Sequence, residues 1–587
     1  MFKFNSKNKV FKKVNLIIFI FVFLLIFFTE NCWSDTTAPL YNTEAIIHPV
    51  VATKGMVSSQ EKLATQAGLE VLKEGGNAVD AAVTVGFTLA VTLPRAGNIG
   101  GGGFMVIHLV ENNQNIAIDY REKAPITATK DMFLDEKGNV DEEKARFSHL
   151  AVGVPGTVAG LILALEKYGT ISLERALQPA INLAENGFIV TQDLYDSLVF
   201  SQQYLKKYPA TKQIFFTQNG GLIKVGDLLI QRDLAESLKL IASQGKKAFY
   251  QGKIADAIVT EMQANGGLIT KEDLAKYQPV ERKPVHGNYK GYEIYSMPPP
   301  SSGGVHLIQM LNILEHFPLE EWGQNTAKTI NLLAETMKLA YADRSKYLGD
   351  PDFIDVPISW LISKDYAVNL KDKIKLDTAT PSKEIAPGNP LLFHESNDTT
   401  HYSVIDKYGN AVANTYTLNF GYGAGITVPG TGILLNNEMD DFVSKPGVPN
   451  GFGLVGDEFN AIAPEKRMLS SMTPTIVMKD NQVYLVTGSP GGSRIITTVL
   501  QILVNVIDFK MNIAEATNSP RIHHQWLPDK LYVEKALNQD TINLLKKQGY
   551  DIEKSRSMGS TQSIMKIDNY LYGASDYRSR EALTLGY

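Results

Sequence analysis

The chain has a single cysteine, Cys32, so no disulfide within it can staple the fold and stability must come from a packed core. An excess of positive charge is also missing: 57 Lys and Arg stand against 62 Asp and Glu, a net charge of −5. That leaves out the basic domain that nucleic-acid binding calls for, and nucleic acid is dropped as a partner. Chelating histidine spacing is absent. The 10 histidines include no H-E-x-x-H, and His523 and His524 are adjacent rather than one helical turn apart, so they read as structural or surface residues. The glycines Gly100 to Gly103 are followed by neither the Lys-Ser/Thr of a phosphate loop nor a G-x-G-x-x-G helix start. They read as a close backbone approach in the core. A nucleophile elbow at Ser489 fails on spacing, because G-x-S-x-G needs glycine where Thr487 stands.

What is present is a globular composition, 44% hydrophobic and 20% charged over 587 residues, long enough for a large core. At the N-terminus Lys3, Lys7, Lys9, Lys12 and Lys13 precede an apolar run from Leu16 to Phe28. This is short for a membrane span and suited to a signal peptide. Cys32 and Ser34 offer small residues for a cut before Asp35, giving a signal peptide of residues 1–34 and a periplasmic or secreted protein. Lipidation of Cys32 and an uncleaved anchor are the alternatives.

Helical spacing starts at Ser58, where Ser58 and Glu61 match a capping box, and ends at Gly75-Gly76. Further helices are expected over Asp80–Val91, Pro155–Leu165, Asp233–Ser243 and Thr329–Arg344, and a strand over Val483–Val486. The segment Ala386–Asp398 reads as a linker, and the sequence after it is richer in strand-forming residues, making 398 the best boundary in the chain.

The runs Thr400–Asp406 and Ala411–Leu418 flank "KYGN", a hairpin signal. A turn centred on Tyr408 sets Thr399 opposite Thr417. Such a pair is ordinary in sheets. It also has a chemical use: cutting the Asp398–Thr399 bond would leave Thr399 with a hydroxyl nucleophile and, in its own α-amine, a base. Downstream, "GSPGGSR" places Gly491 and Gly492 at the start of a helix, where backbone N–H groups are free to bind an oxyanion.

With these residues in place, the sequence resembles the bacterial γ-glutamyltranspeptidases, or glutathione hydrolases, of the N-terminal nucleophile hydrolase superfamily. The resemblance rests on "AGNIGGGGFM", "DYREKAP", "MPPPSSGG", "LAYADRSKYLGDPDF", "TTHYSV", "NNEMDDF", "SSMTPTIV" and "GSPGGSRIITTVLQ", in family order. It implies an α+β fold, a four-layer αββα sandwich. It also implies self-cleavage between Asp398 and Thr399 into a large subunit (35–398) and a small subunit (399–587) that stay associated as a heterodimer. Thr399 would be the nucleophile and Thr417 its hydrogen-bond partner. Arg121, with Ser470 and Ser471, would hold the α-carboxylate of a γ-glutamyl group. Asn419, Glu438 and Asp441 would hold its α-ammonium, and Gly491 and Gly492 the oxyanion. Taken singly, Arg121 reads as a surface charge, Ser470-Ser471 as a turn and Glu438–Asp441 as a solvated acidic cluster.

The loop Phe442–Gly456 matches a lid, with Phe452 at its aromatic position. The implied donors are glutathione and other γ-glutamyl compounds. Acceptors are water, amino acids or peptides, with no metal or organic cofactor. Departures from the family pattern are Asp398 for an amide residue, Met468 and Tyr577 for prolines, and Tyr422 in "FGYGAG". The alternatives are an acylase of the same fold acting on glutaryl amides and a processed, non-catalytic binding protein.

Overall fold

The structure, a computed structural model, describes residues 45–386 and 399–587. Runs of β-branched and aromatic residues with both faces buried make its centre. Thr399–Ile405 and Ala411–Thr417 are buried at every position and pair in antiparallel register, with Thr399 opposite Thr417 as the hairpin arithmetic predicts. They sit in the middle of a seven-stranded sheet whose order is Leu583–Gly586, Met56–Ser59, Thr399–Ile405, Ala411–Thr417, Gly102–Leu109, Gln114–Tyr120, Val280–Arg282. A second seven-stranded sheet runs Val50–Ala52, Tyr570–Ser575, Gln562–Ile567, Gln482–Thr487, Thr475–Lys479, Tyr292–Ser296, Val285–Tyr289.

The sheets face each other through an apolar layer, with Met56, Val106, Ile405 and Ala413 from one and Ile476, Val486, Ile564 and Leu571 from the other. Helices Lys62–Lys73, Ala78–Thr92 and Thr157–Tyr168 cover the outer face of the first sheet. Gly303–Leu314 covers the second, backed by Ala327–Tyr347 and Ile495–Ile507. The result is the αββα sandwich.

Two expectations need correcting. Ser58 opens no helix: it lies in the strand Met56–Ser59, and Glu61 itself caps Lys62–Lys73 by accepting from the N–H groups of Leu63 and Ala64. The carboxylate satisfies the orphan donors that a serine was expected to take. The complete capping box is one helix later, between Asn77 and Asp80. Nor is residue 398 a boundary in space, because both sheets combine strands from before and after it. Residues 1–34, read from the sequence as a signal peptide, Asp398 and most of the segment read as a linker lie outside the described residues.

Candidate active site

Thr399 is the first residue of its strand and is buried. Its Oγ1 donates to Thr417 Oγ1 at 3.3 Å, and Thr417 Oγ1 accepts from the Asn419 N–H at 2.8 Å. The glycine run lies behind Thr417: a Cβ at Gly101 would come 2.1 Å from the Thr417 carbonyl oxygen. Asn98 fixes the same carbonyl at 2.9 Å and accepts from the Gly101 N–H. The glycines are therefore spent on a close approach that holds the hairpin end in place.

A narrow cavity with about 20 Å³ of free volume opens at this point. It gathers Arg121, Asn419, Glu438, Asp441, Ser470, Ser471, Phe452 and Gly492 around Thr399 and Thr417. Of the residues expected at the site, Gly491 borders a neighbouring groove instead, one that Thr399 also lines.

Arg121 is no surface charge. It is fully buried, its Nε donates to the Met468 carbonyl at 3.2 Å, and its guanidinium forks onto Glu438 and Asp441. The "EMDD" segment is a 3-10 turn, with Glu438, Met439 and Asp440 buried, not a solvated cluster. Arg121 thus pairs with the carboxylates expected to hold a substrate ammonium. Ser471 Oγ accepts from a second buried arginine, Arg344, at 3.2 Å, and Ser302 Oγ accepts from Arg344 Nε at 2.9 Å. The Ser470 carbonyl accepts from the Ser302 N–H, locking "PPPSSGG" to "SSMTPTIV".

Arg344 and Glu122 are the residues that single-position reading missed. Both lie inside blocks quoted for the resemblance, Glu122 directly after Arg121, but nothing in their spacing marks them. Glu122 is buried 3.8 Å from Arg121 Nη1, and neither of its carboxylate oxygens has a hydrogen-bond partner. Burial raises its pKa to about 7, against the pull of Arg121. Glu438 and Asp441 are likewise raised by burial, opposed by Arg121, while Arg344 is lowered to about 10 by burial. Two carboxylates, Glu438 and Asp441, thus line the pocket with two guanidinium groups, and Glu122 is buried beside Arg121, a cluster that favours taking in one more positive charge.

Gly491 and Gly492 lead into a 3-10 turn, Gly492–Arg494, and then the helix Ile495–Ile507. Their φ angles of +133° and +52° require glycine, and among the described residues neither N–H has a hydrogen-bond acceptor. Phe452 lies over Gly492, where a Cβ would come 2.4 Å from its ring. Its own ring stacks on Phe420 at 5.0 Å, and Gln525 Nε2 donates to the Gly453 carbonyl at 3.0 Å. Tyr422 is buried, hydrogen-bonded to Ser197 at 2.6 Å, and lines the neighbouring groove rather than the narrow cavity. Met468 is buried and Tyr577 is exposed. His523 is buried between Thr497 and Gln525, a structural histidine.

Among the described residues no group of three or more His, Cys, Asp or Glu could hold a metal ion, and no helix is long and apolar enough to cross a membrane.

A threonine opening a central strand of a four-layer αββα sandwich, beside free backbone donors, defines an N-terminal nucleophile hydrolase. The γ-glutamyltranspeptidase family model matches residues 64–585, and the chain belongs to that family. It is 57% identical over 565 residues to the glutathione hydrolase proenzyme of Escherichia coli, covering 95% of this chain and 97% of that one. The solved γ-glutamyltranspeptidase of Helicobacter pylori is 50% identical, with a TM-score of 0.56, covering 61% of this chain and 100% of that chain. A cephalosporin acylase from Bacillus halodurans is 28% identical with a TM-score of 0.82, covering 94% of this chain and 99% of that one.

Proposed function

We propose that this enzyme matures by cutting itself before Thr399 and then hydrolyses or transfers γ-glutamyl groups, with glutathione among its donors. The observation that carries this reading is the position of Thr399. It opens the strand, is hydrogen-bonded to Thr417, and lines both the charged pocket and the groove that Gly491 borders.

In maturation the Thr399 hydroxyl attacks the Asp398 carbonyl carbon, and the peptide C–N bond breaks as the ester forms. Water then cleaves the ester and leaves Thr399 with a free α-amine. The H. pylori match covers 61% of this chain and the whole of that chain, close to the share that residues 35–398 make up.

In turnover Thr399 Oγ1 attacks the γ-amide carbon of the donor, its proton passing to the α-amine and from there to the leaving amine. The N–H groups of Gly491 and Gly492 receive the charge on the carbonyl oxygen, a service worth ~3 to 4 kcal/mol per donor in comparable sites. Arg121, with Ser470 and Ser471, takes the α-carboxylate. Glu438 and Asp441 exchange their hold on Arg121 for the α-ammonium, to which Asn419 also presents its unpartnered Oδ1. Phe452 closes over the glutamyl group. Water, an amino acid or a peptide then cleaves the glutamyl-threonine ester. Export to the periplasm or outside the cell, after removal of residues 1–34, belongs to the same reading.

The resemblance to a cephalosporin acylase favours one other reading, hydrolysis of glutaryl amides. Such a chain has no α-ammonium, and the carboxylates around Arg121 would have nothing to bind. Assaying a γ-glutamyl anilide beside the glutaryl anilide separates the two: strong preference for the glutamyl compound is expected, and equal rates would favour the acylase.

A further inference from the structure

Among the described residues, Thr399 is the one that lines both the narrow cavity and the groove beside it. The narrow one is shaped and charged for the glutamyl end. The other is an open groove of about 570 Å³ lined by Gly491, Arg494 and Arg556 and also by Phe200 and Tyr422. Both the amine that departs from the glutamyl carbonyl and the one that arrives must have room outside the glutamyl pocket, and the groove offers about 570 Å³ against about 20 Å³ there.

The groove has a charge pattern of its own. Of its five cations, Arg95 pairs with Asp193, Arg578 with Glu534 and Asp576, Arg494 donates to Ser555 and Lys554 to Gln539. Arg556 is exposed and has neither an ion pair nor a hydrogen bond among the described residues. The loop that carries it is nonetheless braced on both sides. Arg494 donates to Ser555 Oγ at 2.8 Å, the Met558 N–H to Glu534 at 2.8 Å, Arg521 to the Met558 carbonyl at 2.6 Å, and the Ser560 N–H to Ser489 Oγ at 2.9 Å. A free guanidinium held on a fixed loop suits a carboxylate. Phe200, 79% exposed, offers the groove an apolar face that nothing else in the described chain covers.

We propose that this groove is the subsite for the leaving group and the acceptor, and that Arg556 recognises the C-terminal carboxylate of a short peptide or amino acid whose side chain rests on Phe200. This rests on the γ-glutamyl-transfer reading above. In the transfer direction the acceptor nitrogen bonds to the glutamyl carbonyl carbon, the ester C–O bond to Thr399 breaks, and the amine proton passes through the Thr399 α-amine to Oγ1. In the first half-reaction the same contacts hold cysteinylglycine as it leaves glutathione.

The test compares hydrolysis of glutathione with hydrolysis of glutathione whose glycine carboxylate is converted to the amide. Wild type is expected to favour the free acid in kcat/KM by about fivefold, as befits a partly exposed charge pair. Arg556→Gln should lose that discrimination and Arg556→Lys keep most of it. In parallel, wild type should favour γ-glutamylphenylalanine over γ-glutamylglycine, and Phe200→Ala should narrow the gap. Equal use of glutathione and its amide by wild type, or discrimination that survives in Arg556→Gln, overturns the assignment of Arg556. An unchanged preference in Phe200→Ala overturns that of Phe200. A wild type that cleaves neither these compounds nor a γ-glutamyl anilide overturns the γ-glutamyl reading itself, whereas cleavage of all of them without discrimination sinks only the groove assignment.

Discussion

Thr399 and Thr417 face each other across the open end of one hairpin, hydroxyl to hydroxyl at 3.3 Å, 18 residues apart in sequence. Because Thr417 Oγ1 also accepts from the Asn419 N–H, its position is fixed before any substrate arrives. Thr417→Val keeps the shape and removes both bonds. We expect it to slow maturation and turnover by roughly tenfold or more, in line with ~1.4 kcal/mol for a lost hydrogen bond at a buried site. Thr417→Ser should keep most activity. A valine variant with normal processing on a denaturing gel and normal kcat would remove Thr417 from the site.

The wild-type mature precursor should resolve into chains of about 40 and about 20 kDa, at ~110 Da per residue, with Thr399 as the N-terminal residue of the shorter. Thr399→Ala is expected to stay a single, inactive chain, and Thr399→Ser to cleave slowly. Two chains in the alanine variant would assign the nucleophile elsewhere.

Arg121→Lys retains charge but loses the fork that engages Glu438 and Asp441, so donor KM should rise while self-cleavage persists. Asp441→Asn should reduce the preference for glutamyl over glutaryl anilide by about tenfold or more, from the ~1.5 to 3 kcal/mol of a hydrogen bond to a charged group. Unchanged preference would show that Asp441 does not read the ammonium.

Donor binding should depend on pH in a definite direction. Glu122, raised to about 7 by burial, is protonated below that pH and charged above it, and the charged form attracts the substrate ammonium. KM for a γ-glutamyl anilide should therefore fall as pH rises from 6 to 8, with proton release on binding, and Glu122→Gln should flatten that dependence. The same raised pKa means that the folded protein binds more protons than the unfolded chain between about pH 4.5 and 7, so this group's contribution to stability falls over that range. A KM that climbs with pH in wild type, or a slope that Glu122→Gln leaves intact, would contradict this.

Gly492→Ala brings a Cβ to 2.4 Å from the Phe452 ring at a φ of +52°. The steric part of that damage can be relieved from the other side. Gly492→Ala keeps its N–H but should lose more than tenfold in kcat as the clash and the backbone strain move that donor off the oxyanion, a fully lost donor typically costing 10² or more. Adding Phe452→Ala should recover part of it. No recovery in the double variant would place the whole cost in the backbone.

The hairpin register was legible because a two-strand ladder with a short turn leaves few choices, and the core helices because their apolar spacing is long and regular. Ser58 misled because a strand and a helix meet there: the capping spacing was read from a serine whose own backbone belongs to the sheet. Arg121 and the "EMDD" turn could be placed inside only by resemblance. Local sequence shows charge, not the partner more than 300 positions away that makes burying it possible. Arg344 and Glu122 gave no local signal for the same reason.

The mixed origin of the two sheets gives the proposed cut a thermodynamic consequence. Thr399–Ile405 lies between Met56–Ser59 and Ala411–Thr417, and the last strand, Leu583–Gly586, pairs with Met56–Ser59 as well. Before cleavage the halves find each other within one chain, at an order of reaction independent of concentration. Afterwards no peptide bond joins the halves, and each keeps only part of each sheet. Separation then requires breaking both sheets at once, and recovery becomes a second-order encounter between two incomplete chains. Maturation thus exchanges a reversible folding equilibrium for persistence governed by the rate of unfolding.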